Sequence, residues 1–182
     1  MKKIIYVSDV RERLKMLVVE RLPWLAAGLG VGFLTSIYIS NYKEILSKNI
    51  SLAFFIPIIV YMSDAVGTQT ETIFVRDLTE HRVNFLKYLK KEFSLGLVMG
   101  IILGLLTGIM AYVWLRDAKV AATVGLAMLV NIMIAPVTAT IIPELLFKER
   151  QDPALGSGPV TTVLQDFISL MIYFLVASVI LL

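Results

Sequence analysis

The chain contains no cysteine and a single histidine in 182 residues. The first absence excludes disulfides, thiolate metal centres and cysteine nucleophiles, and leaves the redox compartment open. The one histidine, His81, stands in the charged stretch Arg76-Asp77-Leu78-Thr79-Glu80-His81-Arg82 and reads as a solvated side chain. No imidazole is therefore left for the apolar stretches, which argues against softer metals such as zinc or copper. There is no Ser–His pair and no Gly-rich phosphate loop, so the common routes to hydrolysis and phosphoryl chemistry are missing. Nor is there a compact Lys/Arg tract with interleaved aromatics, and the net charge of +3 is modest, so nucleic acid is excluded as a partner.

What is present is apolar. The hydrophobic fraction is 58%, above the roughly 45–50% of an ordinary globular domain, and the charges are confined between long uncharged runs. That segregation predicts an all-α, polytopic membrane protein with five transmembrane helices, at about 22–40, 50–75, 93–115, 120–143 and 156–182. The first run is too long for a signal-peptide core and is expected to be retained. Residues 1–21 read as an amphipathic leader helix on the cytoplasmic membrane surface, with Val10, Leu14, Leu17 and Val18 on one face. Residues 22–182 then form the transmembrane domain. With the N-terminus in the cytoplasm, thirteen of the seventeen Lys and Arg residues fall in the leader and the inner loops, and the C-terminus lies outside.

Small residues predict how these spans pack. Gly28, Gly32 and Ser36 form a four-residue stripe on the first span, and Gly96, Gly100, Gly104 and Gly108 form a stricter one on the third. Such stripes let helix backbones approach closely in lipid, so the third span is expected to serve packing rather than chemistry. On the fourth span Asn131, Ala135 and Thr138 share a face, and Asn131 suits a bond to a neighbouring helix or a pathway lining. Pro136 is a candidate kink.

Chemistry is expected where carboxylates enter the apolar runs. Asp166 lies about 15 Å along a helix starting near Gly156, close to the middle of a hydrocarbon core roughly 30 Å thick. Asp64 lies about 21 Å into the second span, on a face shared with Thr68 and Glu71 at i, i+4 and i+7. The two spans run in opposite directions, so both carboxylates can fall at similar depth. A carboxylate at that depth costs at least ~2.5–3.5 kcal/mol on insertion scales and therefore faces a partner, a cavity or an ion. No Lys or Arg lies inside any span to pair with it. Gly158, Thr162, Asp166, Ser169 and Tyr173 form a stripe at helical spacing, with Thr161 and Gln165 beside it. Hydroxyls around a carboxylate suit a water-lined pathway for a hard cation that keeps part of its hydration shell.

Two other readings stay open on the residues alone. One is a proton- or Na⁺-coupled divalent cation carrier, and the other is a membrane scaffold whose buried aspartates are structural. Catalysis is not expected. An aspartyl intramembrane protease would show Gly-x-Gly-Asp at one aspartate, whereas Val163-Leu164-Gln165 precedes Asp166 and Tyr61-Met62-Ser63 precedes Asp64.

The run Asp152-Pro153-Ala154-Leu155, Ser157-Gly158-Pro159, Thr162, Asp166 and the run Gly67-Thr68-Gln69, Arg76, Leu78 resemble the MgtE magnesium channels and transporters over essentially the whole chain. The resemblance implies Mg²⁺ as the transported ion, with no organic cofactor, in the cell membrane. It implies a homodimer in the lipid bilayer whose pore lies between the second and fifth spans of both copies. It also implies that Asp166 matches the family's central Mg²⁺-binding aspartate, with Asp152 nearer the cytoplasmic mouth. Thr162 and Ser169 would contact the water shell, and Asp64, Glu71, Thr68 and Gly158 would line the cytoplasmic half. The chain departs from the family at Ala65, where many members carry Asn, and Asp64 beside it is the candidate substitute. Full-length members carry a large cytosolic sensor, which a leader of about twenty residues is too short to hold. Gating through a cytosolic sensor would accordingly need a separate regulatory protein.

Overall fold

The computed structural model describes residues 13–80, 83–150 and 153–181, with the backbone alone for Glu20 and residues 153–156. Its elements are α1 (Leu14–Ser40), α2 (Lys43–Lys48), α3 (Ser51–Glu80), α4 (Phe85–Leu115), α5 (Ala118–Lys148) and α6 (Pro153–Leu181). There is no strand among the described residues. Five of the helices are long and apolar enough to cross a membrane, α2 being the exception. The chain is thus a multi-pass membrane protein, as the apolar runs predict.

The helices overrun the apolar stretches. α3 continues to Glu80 and α4 begins at Phe85, eight residues before the expected start of its span. Helical hydrogen bonding does not stop where hydrocarbon does, so hydropathy marks the membrane but not the helix end. α1 begins at Leu14 and passes residue 22 without a break, carrying Pro23 within it. The expected leader boundary therefore falls inside a continuous helix, and Val10 lies outside the described residues. The connection at 41–49 holds the short helix α2, where Lys48 Nζ donates to Glu44 Oε1 at 2.8 Å.

Ends are set by local chemistry. Asn84 caps α4 by accepting from the Lys87 amide at 3.1 Å. α4 stops at Arg116, which adopts a left-handed φ of 57°. Asp117 then caps α5, its Oδ1 accepting from the amides of Lys119 (2.9 Å) and Val120 (3.1 Å). This tight turn folds α5 back against α4.

Lipid tails are as apolar as leucine, so burial of apolar area does not hold these helices together; close packing and interhelical hydrogen bonds do. The glycine stripe of α4 lies on the α5 backbone. Cβ atoms built at Gly96, Gly100 and Gly104 would stand 2.8, 2.6 and 2.7 Å from the carbonyl oxygens of Met133, Leu129 and Gly125. Pro136 has no amide to offer the Ile132 carbonyl, and that carbonyl faces Gly96. α5 continues through both Pro136 and Pro143.

α5 is the most enclosed of the five long helices, packed by α4, α3 and α6. Its buried Val124, Met128 and Ile132 share the core with Leu52 and Ile59 of α3 and Tyr173 and Phe174 of α6. α1 packs on α6 instead. Only part of its small-residue stripe is used there, since a Cβ at Gly28 would lie 3.1 Å from Val163 Cγ2, whereas one at Gly32 would meet nothing within 4 Å.

Candidate functional site

α3 and α6 run antiparallel, and their contacts step along both chains in opposite senses. Near one end the Tyr173 hydroxyl donates to the Leu52 carbonyl at 2.7 Å. In the middle Ser169 Oγ donates to Ser63 Oγ at 2.9 Å, and Gln165 Nε2 donates to the same oxygen at 2.6 Å. Further along, Gly67 faces the Gln165 amide, and the Ser157 hydroxyl hydrogen-bonds to the Glu71 carboxylate. This register sets Asp64 and Asp166 at one level, near enough for Asp64 to act electrostatically on both Asp166 and Glu71. Both aspartates are half-buried.

One turn along from these carboxylates a cleft of 320 Å³ opens between α3 and α6. Thr68, Glu71, Thr72, Val75, Ser157, Gly158 and Thr162 line it. The structure therefore brings together Thr68, Glu71, Gly158 and Thr162, which the sequence pattern placed on two separate helices. Thr68 is exposed and Thr162 half-buried, while Glu71 is 9% exposed. Among the described residues no three Asp, Glu, His or Cys side chains converge as a metal cage. A carboxylate from each helix beside hydroxyl-lined space suits a cation that retains water.

Ser169 departs from the stripe reading. It is fully buried, and its hydroxyl is spent on Ser63. Helix geometry gives the reason: at about 100° per residue, position 169 lies about 40° from Gln165 but about 60° from Asp166. It consequently falls with the interior residue. Asn131 bonds a neighbouring helix, Nδ2 donating to the Ser169 carbonyl of α6 at 3.3 Å as well as to the Ala127 carbonyl of its own helix at 2.9 Å. Asp152 and His81 lie outside the described residues.

Two residues of this region, Ser63 and Glu92, are not evident from the spans alone, and Gln165 shows in sequence only as a neighbour of the Asp166 stripe. Ser63 and Gln165 each precede an aspartate and point inward, and Gln165 also accepts from the Thr138 hydroxyl. Glu92 is 8% exposed and accepts from Thr70 Oγ1 at 3.1 Å, joining α4 to α3. In sequence it looks like the end of a charged loop, Lys90-Lys91-Glu92. The signal that places it inside is the four-residue step, because 92 precedes Gly96 and Gly100 on the same stripe.

Comparison with known proteins agrees with this architecture. A family model, MgtE, described as a divalent cation transporter, matches residues 56–176. The chain is 36% identical over 175 residues to the magnesium transporter MgtE of Enterococcus faecalis, an alignment covering 94% of this chain and 39% of that protein. It is 32% identical over 162 residues to the magnesium transporter MgtE of Bacillus subtilis, covering 87% and 36% respectively. Against the magnesium transporter MgtE of Thermus thermophilus it is 27% identical over 164 residues, covering 88% and 36%. The chain thus spans well under half the length of these relatives. A family match across most of its helices, with relatives above thirty per cent identity, shows that this chain belongs to the MgtE family of divalent cation transporters.

Proposed function

We propose that this chain conducts Mg²⁺ across the cell membrane, through a pore that two copies build from α3 and α6. The observation that supports it most directly is the pairing of Asp64 and Asp166 at one level, beside the hydroxyl-lined cleft and left partly open in the single chain. Charged groups at membrane depth need cover from lipid, and a second copy set against this face would supply it. Asp166 from each copy would hold the hydrated ion, with Thr162 contacting its water. Asp64, Glu71, Thr68 and Gly158 would shape the path toward the cytoplasm. Asp152, just before α6, would stand at the mouth. The resemblance to magnesium transporters supports Mg²⁺ as cargo, and the Lys/Arg distribution supports a cytoplasmic N-terminus.

In this reading the protein strips little from the ion. Mg²⁺ dehydrates reluctantly, so hydroxyls and carboxylates around a hydrated ion attract it while leaving its inner waters in place. The test is Mg²⁺ uptake into proteoliposomes by wild type, Asp166→Asn and Asp166→Ala. Uptake should fall by at least ~10-fold in both variants, the scale on which binding-site charges act. Undiminished flux in both would remove Asp166 from the pathway. Flux driven by an imposed proton or Na⁺ gradient would replace the channel with a coupled carrier. Absence of flux from the wild type would favour a membrane scaffold.

A further inference from the structure

We propose that Ser63, Thr138 and Gln165 are positioning residues for the cation site. Their buried hydrogen-bond chain fixes the rotation of α3 and α6 that aims Asp64 and Asp166 at a common space. The inference rests on the reading of Asp166 as the carboxylate that holds the ion.

The chain crosses three helices. Gln165 is 1% exposed and Ser63 is fully buried. Thr138 of α5 donates to Gln165 Oε1, and Gln165 Nε2 donates to Ser63 Oγ at 2.6 Å. Ser63 also accepts from Ser169 at 2.9 Å. A carboxamide has an accepting end and a donating end, so Gln165 bonds the α5 hydroxyl and the α3 hydroxyl at once and ties the two helices together. Gly67 lies alongside, where a Cβ would stand 3.6 Å from Gln165 Oε1, an ordinary van der Waals contact.

The placement of the three is what separates them from ordinary interhelical glue. Gln165 immediately precedes Asp166, and Ser63 immediately precedes Asp64. Neighbouring helical residues are separated by about 100°. Holding Gln165 and Ser63 against each other in the interior therefore directs both aspartates outward to one side. Neither helix can rotate its carboxylate toward lipid or core without breaking a buried bond. The arrangement parallels metal sites in which outer partners orient the ligands.

The test compares Thr138→Val, Thr138→Ser, Ser63→Ala and Gln165→Leu, reading the half-saturating Mg²⁺ concentration for uptake and the thermal stabilisation by Mg²⁺ in detergent. Thr138→Val and Ser63→Ala should raise the half-saturating concentration about tenfold, the lower range for outer-partner substitutions. Thr138→Ser, which keeps the hydroxyl, should restore the wild-type value. Combining Ser63→Ala with Gln165→Leu should raise the half-saturating concentration by less than the product of the two single effects, because both break the Gln165–Ser63 bond, while Ser63→Ala alone also removes the Ser169 bond. If Gln165→Leu fails to fold, the Thr138 pair still decides, as valine and serine differ little from threonine in size. Variants that lose thermal stability yet keep the wild-type Mg²⁺ dependence would overturn the proposal, leaving the chain as packing only. That outcome is distinct from failure of the cation reading, which would show as wild-type uptake in Asp166→Asn.

Discussion

Gly100 lies against the Leu129 carbonyl so closely that a Cβ on it would stand 2.6 Å from the oxygen. Backbone cannot yield as a side-chain tip can. Gly100→Ala is expected to force α4 from α5 and to destabilise the protein by about 1–3 kcal/mol, the usual range for overpacking. Gly32→Ala is the control, because a Cβ there meets nothing within 4 Å. It should leave stability unchanged or raise it by up to ~1 kcal/mol through helix propensity. Thermal unfolding in detergent measures both.

Glu92 and Thr70 tie α4 to α3 through a 3.1 Å bond. Glu92→Gln keeps an accepting oxygen and should remain close to wild type in stability. Glu92→Ala leaves the Thr70 hydroxyl without its partner in a buried position and should cost about 1–3 kcal/mol. Equal losses in the two variants would show that charge rather than the hydrogen bond matters there.

The Tyr173 hydroxyl reaches across to the Leu52 carbonyl at 2.7 Å. Tyr173→Phe preserves the buried ring and removes only this bond. The expected loss is about 0.5–1.5 kcal/mol, without a change in the Mg²⁺ dependence of uptake, since the bond lies well over a turn from Asp166.

Asp64 shares its level with Asp166, so its charge should contribute to ion occupancy. Asp64→Asn is expected to raise the half-saturating Mg²⁺ concentration by about tenfold, equivalent to ~1.4 kcal/mol. Asp64→Glu should preserve most of the wild-type value. Uptake by Asp64→Asn indistinguishable from wild type would confine the electrostatic role to Asp166.

Residue order alone carries the membrane class, the number of spans, the packing stripe of α4 and the shared level of Asp64 and Asp166. Each depends on local quantities: the length of an uncharged run, the rise per residue, the four-residue recurrence of glycine. Which way a side chain faces is not local in that sense. Ser169 differs by only about 20° in its separation from Gln165 and from Asp166, and the position of Ser63 on α3 decides that it turns inward. Glu92 resembles a loop charge until the early start of α4 and the neighbouring Thr70 place it inside. The cleft joining Thr68 and Glu71 to Gly158 and Thr162 exists because α3 and α6 dock antiparallel in one register. That register depends on hydrogen bonds between residues about a hundred positions apart, and no pattern within a single helix contains them.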